Sequence, residues 1–305
     1  MKQFALDRRR FLRRAGGLFL GGAAAACGAP SGVAAPARTV ATPPLPVKIG
    51  IRAASMKMAG DFDVIKAAAG ISGITGVELQ VTAGSPNLRD RDAVRRYKRE
   101  ADRWAMRIPS LAGVWDRGVT IAKPGAAENV RLAIRAAEML GSGVILLAFF
   151  GKEAPDMARQ DSYGPIVAML RETGPCAAEA GVTLGLENSL SPAENAKLVD
   201  LVGHPAVRVY YDLHNMATYG HGDQAIPGVK LLGTERICAV HVKNGDKRID
   251  EPGPIDWAAA FRQFNEIGYE GWYVYETSHD SLEDCMEDTR KNNAFLRQHV
   301  RMPVA

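Results

Sequence analysis

Short apolar runs alternate with longer amphipathic stretches between residues 47 and 300. The apolar runs are rich in β-branched and aromatic residues and predict strands at 47–52, 76–81, 108–115, 144–150, 182–188, 207–213, 237–243 and 271–277. The stretches between them predict helices near 61–70, 89–106, 127–141, 162–180, 192–202, 223–233, 256–267 and 281–299. Eight strand–helix pairs in about 250 residues fit a single (β/α)8 TIM barrel better than an open doubly wound sheet.

Turn and capping residues support these boundaries. A glycine follows five of the helical stretches just before a strand, at Gly141, Gly181, Gly203, Gly233 and Gly268. Glycine is favoured there because the residue after a helix often adopts a left-handed conformation. Ser191, Pro192 and Glu194 have the spacing of a capping box with proline at the first helical position. Asp256 is expected to cap the helix that starts at Trp257.

Each of the last four predicted strands ends in a residue that can bind a metal ion: Glu187, Asp212, His241 and Glu276. The carboxyl ends of the strands in a closed parallel barrel meet around one mouth, where barrel enzymes carry out their chemistry. Three carboxylates and one imidazole at that mouth could coordinate one divalent cation. A single acidic residue at a strand end is more often solvated or ion-paired. Four in the same position therefore favour a metal-assisted active site.

Four segments around these residues resemble motifs of the xylose-isomerase-like TIM barrels, the sugar phosphate isomerase/epimerase group. They are Leu186-Glu187-Asn188, Tyr211-Asp212, His241-Val242-Lys243 and Tyr275-Glu276. A fifth segment, Gly253-Pro254-Ile255-Asp256-Trp257, also resembles a segment of this group. The resemblance covers about 47–300 and implies one divalent ion (Mn, Mg, Co or Zn) bound by Glu187, Asp212, His241 and Glu276. It also implies that Glu187 and Glu276 are the acid/base pair; the alternative for each is a ligand without a role in proton transfer.

Candidate substrate-binding residues surround this set. Lys243 follows His241 by two residues, so both side chains would face the same side of the strand, and Lys243 could hold a substrate oxygen or form a salt bridge. Asn215, three residues after Asp212, is a candidate for substrate contact. Glu78 in the second strand could bind hydroxyl groups or belong to a buried ion pair. Trp115 could offer an apolar wall to a sugar ring, although core packing would equally explain it.

The N-terminal segment, residues 1–37, is predicted to be an export signal and linker. Asp7-Arg8-Arg9-Arg10-Phe11-Leu12-Arg13 indicates the twin-arginine route, and the apolar run 15–26 that follows is too short and too rich in glycine to span a membrane. Cys27 resembles a lipoprotein processing site, and the alternative is cleavage near residue 37. We therefore expect a periplasmic protein or a membrane-anchored lipoprotein, with the export machinery as a partner and membrane contact only through a lipid on Cys27.

The charge of the chain depends on this segment. The whole sequence carries +4. Residues 1–26 contain six Lys or Arg and one Asp, a net +5, so the remainder carries 4 − 5 = −1. A nearly neutral mature protein is a poor ligand for a phosphate backbone, so no nucleic-acid partner is expected. An apurinic-site endonuclease on this fold would also need histidines from the earlier strands, and no histidine precedes His204.

Three classes of function are consistent with these residues. The first is a sugar isomerase or epimerase that removes a proton beside a carbonyl to give a metal-stabilised enediolate. The second is a lyase, dehydratase or hydrolase that uses the same site on an oxidised sugar, cyclitol or glycoside. The third is a lipoprotein that binds sugar without turnover. No glycine-rich phosphate-binding loop follows strands seven and eight, which favours an unphosphorylated keto-sugar or related carbohydrate as the substrate.

Overall fold

The computed structural model describes residues 47–301. The predicted export signal and Cys27 lie outside the described residues. Eight parallel strands close into one barrel in sequence order: β1 (Lys48–Arg52), β2 (Gly76–Gln80), β3 (Ser110–Ala112), β4 (Val144–Phe149), β5 (Thr183–Asn188), β6 (Val207–Asp212), β7 (Ile237–Val242) and β8 (Trp272–Tyr275). The predicted (β/α)8 barrel is therefore confirmed. Within the described residues, no helix combines the length and apolarity needed to cross a membrane.

The helices between the strands are α1 (Val64–Ala69), α2 (Arg91–Arg103), α3 (Ala126–Leu140), α4 (Gln160–Glu179), α5 (Pro192–Val202), α6 (Leu213–Thr218), α7 (Gly222–Arg236), α8 (Trp257–Glu266) and α9 (Leu282–His299). The capping predictions agree with this structure. Ser191 and Glu194 form a reciprocal capping box at the start of α5. The side chain of Asp256 accepts a hydrogen bond from the backbone N–H of Ala259 at the start of α8.

Two of the differences between the sequence prediction and the structure have an evident physical cause. Strand β3 is shorter than predicted, because Pro109 has no N–H to donate to the sheet and Gly113, at φ +59°, turns the chain away. The predicted elements also omitted the short helix α6, which starts directly after β6. The Asp212 side chain begins this helix by accepting a hydrogen bond from the backbone N–H of Asn215. A residue expected only to bind metal therefore also caps a helix.

The core has two parts, and the smaller one lies inside the barrel. The larger part packs between the strands and the surrounding helices. The smaller cluster consists of Ala112, Val144, Leu146, Tyr210, Ala239 and Val274. Tyr210, Ala239 and Val274 each lie two residues before one of the polar residues at the strand ends, so they share its face of the sheet. The apolar interior therefore forms the floor beneath the polar residues at the mouth.

Candidate metal centre

The four residues predicted as metal ligands converge at the carboxyl ends of β5 to β8. Glu187, Asp212, His241 and Glu276 each offer one donor atom, and the four atoms lie within 4.8 Å of one another. The Nδ1 atom of His241 is 2.9 Å from Glu187 Oε1, 3.2 Å from Glu276 Oε2 and 4.0 Å from Asp212 Oδ2. Glu276 follows the last residue of β8, and its side chain, 17% exposed, is the most accessible of the four.

The pairing of neighbouring strands brings Asp212, His241 and Glu276 close to one another at the strand ends. Asp212 and His241 are direct partners across β6 and β7, where a register shift between Val209 and Tyr210 adjusts the alignment. Val242 pairs with Tyr275, which places Glu276 one residue beyond the β7–β8 ladder. Because these partners are far apart in sequence, only the pairing of neighbouring strands brings them together.

The donor set fits a divalent cation. Three carboxylates and an imidazole are ligands that Mn²⁺, Mg²⁺, Co²⁺ or Zn²⁺ can accept to different degrees. Asp212 Oδ2 is buried and makes no hydrogen bond, although the ammonium of Lys243 lies 2.8 Å away outside hydrogen-bond geometry. A buried carboxylate oxygen that accepts no hydrogen bond is a natural ligand for a cation. The residues present therefore fit the predicted ion.

Glu78 lies beneath the cluster and contacts His241 from the other side. It is fully buried, and its Oε2 accepts hydrogen bonds from Ser110 Oγ at 2.6 Å and Tyr210 Oη at 3.0 Å. The same oxygen is 3.3 Å from His241 Nε2. Of the two roles predicted for Glu78, the buried ion pair matches this position, because protein groups surround the carboxylate where a substrate hydroxyl would have to bind.

The charges of Glu78 and His241 stabilise each other in the metal-free protein. Burial alone would raise the pKa of Glu78, but the attraction of His241 and then Arg52 outweighs it and lowers the pKa to about 2. Burial alone would lower the pKa of His241, but the charges of Glu187 and Glu78 outweigh it and raise the pKa to about 9. A metal ion at Nδ1 would displace the proton on that nitrogen, leaving Nε2–H to donate to Glu78.

Lys243 and Asn215 both contact predicted ligands. Lys243 Nζ donates a hydrogen bond to Glu276 Oε2 at 2.7 Å and pairs with Asp212, so it bridges two carboxylates. Asn215 Nδ2 donates to Glu187 Oε1 at 3.1 Å. The backbone carbonyl of Lys243 accepts a hydrogen bond from the Trp257 indole at 3.0 Å, which fixes the start of the loop after β7. Both residues therefore lie beside the cluster, where they contact its carboxylates.

Trp115 lies farther round the barrel mouth, after β3. Its indole N–H donates to the carbonyl of Ala148 at 2.8 Å, and the ring packs against the main core. Phe150, after β4, stacks on the exposed Tyr219 with ring centres 5.7 Å apart and an angle of 10° between the rings. Strand β5 lies between β4 and β6, so this aromatic pair bridges the end of the strand that carries Glu187.

Sequence reasoning missed Arg52, the last residue of β1. Its guanidinium pairs with Glu78 through Nε at 3.0 Å and with Glu276 through Nη1. The signal was present in the sequence, because β1 also ends in a charged residue after an apolar run. Arg52 does not fit the pattern of a metal ligand, since a guanidinium has no lone pair to donate to a cation.

The closed parallel barrel defines a TIM barrel, and the carboxylates and imidazole gathered at the ends of its last four strands could hold a metal ion. The model of the xylose isomerase-like TIM barrel family matches residues 65–299, and the chain belongs to this family. No curated protein matches the sequence.

Several solved structures share the fold. D-allulose 3-epimerase from Methylomonas sp., in complex with D-allulose, is 19% identical in sequence and has a TM-score of 0.69. The match covers 85% of this chain and 99% of the epimerase chain. The 3-keto-D-glucoside 4-epimerase from E. coli is 16% identical with a TM-score of 0.65, covering 83% and 99%. A xylose isomerase domain protein from Planctomyces limnophilus is 17% identical with a TM-score of 0.65, covering 85% and 98%. At these identities the likeness establishes the fold.

Proposed function

We propose that this chain is a divalent-metal-dependent isomerase or epimerase that acts on a keto-sugar or a related carbohydrate. The observation that carries the proposal is the convergence of Glu187, Asp212, His241 and Glu276 within 4.8 Å at the barrel mouth. The matching family and the epimerases among the structural neighbours support it. When bound, the ion would supply positive charge to the substrate oxygens and so acidify the C–H between a carbonyl and its neighbouring hydroxyl.

Glu187 and Glu276 are the proposed acid/base pair. They come from β5 and from the end of β8, so they approach the cluster from different parts of the barrel wall. One carboxylate would take the proton from the carbon beside the carbonyl, and the other would return a proton to the opposite face. Asn215 holds Oε1 of Glu187, while Lys243 holds Oε2 of Glu276, so each carboxylate has a neighbour that fixes its orientation.

Lys243 is the proposed electrophilic partner of the substrate. Its ammonium bridges Asp212 and Glu276 and lies at the mouth with 15% of the side chain exposed. A negative charge that develops on a substrate oxygen during proton removal would be stabilised by this fixed cation. A cavity of about 200 Å³ lies beside Glu276 and is bordered by Arg52, Thr277 and His279. These polar walls suit the hydroxyl groups of a carbohydrate.

The experiment that tests the proposal combines metal content with proton exchange. Protein comprising residues 38–305 should contain about one divalent ion per chain, and Glu187→Gln and His241→Ala should lose most of it. In D2O, the loaded enzyme should place deuterium beside the carbonyl of its keto-sugar substrate. Glu266→Gln, at an exposed position on α8, is the matched control and should behave as the wild type. A folded wild type that takes up no Mn²⁺ or Co²⁺ contradicts the proposal.

The lyase alternative uses the same cluster and begins with the same proton removal. The two reactions differ in the fate of the carbanion. An epimerase reprotonates it, whereas a lyase eliminates a β-substituent from it. Deuterium uptake with retention of every substituent indicates epimerisation or isomerisation. Release of water or an alcohol, seen by NMR of the same sample, indicates elimination.

We also propose that the protein is exported by the twin-arginine route, on the basis of Arg8 and Arg9 in the N-terminal sequence. Replacing both with Lys should retain the precursor in the cytoplasm, as detected by fractionation and immunoblotting. Cys27→Ser tests the lipid anchor separately. If Cys27 is processed as a lipoprotein cysteine, the wild type should incorporate labelled fatty acid and the variant should not. If cleavage occurs near residue 37, both proteins should show only background labelling.

A further inference from the structure

Arg52 occupies a central position between two carboxylates of the barrel interior. It ends β1, which pairs with β2 on one side and with β8 on the other. Its direct partner across β1 and β2 is Glu78, and the preceding Ile51 pairs with Tyr275, the residue before Glu276. Backbone pairing alone therefore places the Arg52 side chain next to both acids.

The guanidinium contacts both acids at once. Nε is 3.0 Å from Glu78 Oε1, an ion pair that falls short of hydrogen-bond geometry, and Nη1 contacts Glu276 Oε1. The other oxygen of Glu78 lies 3.3 Å from His241 Nε2. A continuous series of contacts thus runs from Glu276 through Arg52 and Glu78 to His241, and its two ends are predicted metal ligands.

The charges at the mouth require this guanidinium. Glu78, Glu187, Asp212 and Glu276 contribute four negative charges, and a divalent ion with a neutral imidazole would neutralise two of them. Arg52 and Lys243 neutralise the other two. Lys243 contacts two ligand carboxylates, whereas Arg52 contacts one ligand and the non-ligand Glu78. Without Arg52, Glu78 Oε1 would be left with no cation beside it, which is costly for a fully buried carboxylate.

We propose that Arg52 is a positioning residue for the metal centre. It fixes the orientation of the Glu276 carboxylate directly and that of the His241 ring through Glu78, so the ligand geometry depends on a residue that does not bind the ion. The planar guanidinium presents its donors in a rigid fork, so it restricts the directions of two carboxylates more closely than the freely rotating ammonium of a lysine does. This inference rests on the proposed metal site and adds to it the residue that orders two of its ligands.

Titration of metal-free protein with Co²⁺ tests the inference without any substrate. Wild type, Arg52→Lys and Arg52→Gln are compared for Kd and for the visible absorption spectrum, which reports the arrangement of ligands around the ion. We expect Kd to rise about tenfold or more in both variants, as for other residues that orient metal ligands, and the absorption bands to shift. Arg131→Lys is the matched control, since Arg131 pairs with Glu172 on the outer helices, and should reproduce the wild type.

Wild-type Kd and spectrum in folded Arg52→Lys and Arg52→Gln would overturn the inference while leaving the metal site intact. A wild type that binds no Co²⁺ would instead overturn the proposed function, and the inference with it. Far-UV circular dichroism identifies folded variants. If Arg52→Gln does not fold, Arg52→Lys decides the question, because it keeps the positive charge and changes only the directions of the donors.

Discussion

His241 faces Glu187 with Nδ1, at 2.9 Å, and Glu78 with Nε2, at 3.3 Å. Both nitrogens of one buried imidazole therefore lie against carboxylates: one carboxylate belongs to the four candidate metal ligands, and the other lies beneath them. A histidine that binds metal through one nitrogen commonly donates its other N–H to a carboxylate, which fixes the ring and strengthens the ligand. Glu78 is thus connected to the chemistry without lying at the surface of the mouth.

Replacement of Glu78 by Gln should weaken metal binding while preserving the size of the side chain. We expect an increase of about tenfold in the Kd for Mn²⁺ or Co²⁺, because an amide is a weaker acceptor for His241 Nε2–H than a carboxylate. Isothermal titration of the metal-free protein measures this change. Glu266→Gln, the exposed control, should leave Kd unchanged, and an unaltered Kd in Glu78→Gln would contradict the role assigned to Glu78.

Lys243→Met should separate catalysis from metal binding. The ammonium lies 2.8 Å from Asp212 Oδ2, so it competes with a cation for that oxygen, and its removal should leave metal affinity unchanged or increased. Turnover should fall by about 10²-fold or more, since a fixed cation near the developing negative charge is lost. Kd for Mn²⁺ and kcat are measured on the same preparation. A variant with weakened metal binding and an unaltered kcat would show that Lys243 supports metal binding and not catalysis.

Asn215→Ala should lower kcat more than it changes KM. Its side-chain amide donates to Glu187 Oε1 at 3.1 Å, whereas its backbone N–H, which the substitution retains, caps α6 through Asp212. Loss of the amide would leave Glu187 less well oriented for proton transfer, at a cost of about tenfold in kcat. Asn215→Asp is the companion variant and should lower kcat further, because it places a second negative charge beside Glu187. A change confined to KM would indicate direct substrate contact, the role that the sequence favoured.

The stabilisation that metal provides should grow as pH rises from 6.5 to about 9. In the metal-free protein the pKa of His241 is raised from its ordinary value of 6.5 to about 9, so the folded state gains stability from the bound proton below pH 6.5 and loses it as pH rises through 9. A metal ion must displace that proton, so its binding strengthens over the same interval. Differential scanning calorimetry with saturating Mg²⁺ and with chelator gives the difference in Tm at each pH. A difference independent of pH would show that no proton is displaced.

The capping box at α5 offers a test of stability away from the site. The Ser191 side chain accepts from the backbone N–H of Glu194, and the Glu194 carboxylate accepts from the backbone N–H of Ser191. Ser191→Ala should destabilise the fold by about 1 kcal/mol. For a domain of this size the Tm would fall by about 2–4 °C, with metal affinity unchanged. Ser191→Asp, which can also cap the helix, should retain most of the stability.

The sequence predicted the barrel because the evidence for it is local and repeated. Each strand is a short apolar run and each helix has its own periodicity and caps, so every predicted strand and helix is present, although several of their ends differ by a few residues and the short helix α6 was omitted. The pattern of strand ends also predicted the four residues that the structure gathers. That prediction needed only one assumption about tertiary structure, namely that parallel strands of one barrel end at one mouth.

What surrounds the four residues was decided by tertiary structure. Glu78 and His241 are far apart in the chain, and no local pattern shows that they meet beneath the cluster at 3.3 Å. Arg52 was missed for the same reason, since its importance comes from the pairing of β1 with β2 and β8 when the barrel closes. The sequence by itself determined the fold and which residues end the strands, because hydrophobic periodicity and capping act between near neighbours. Closure of the barrel decided which charges meet, because their distances depend on contacts between residues remote in the chain.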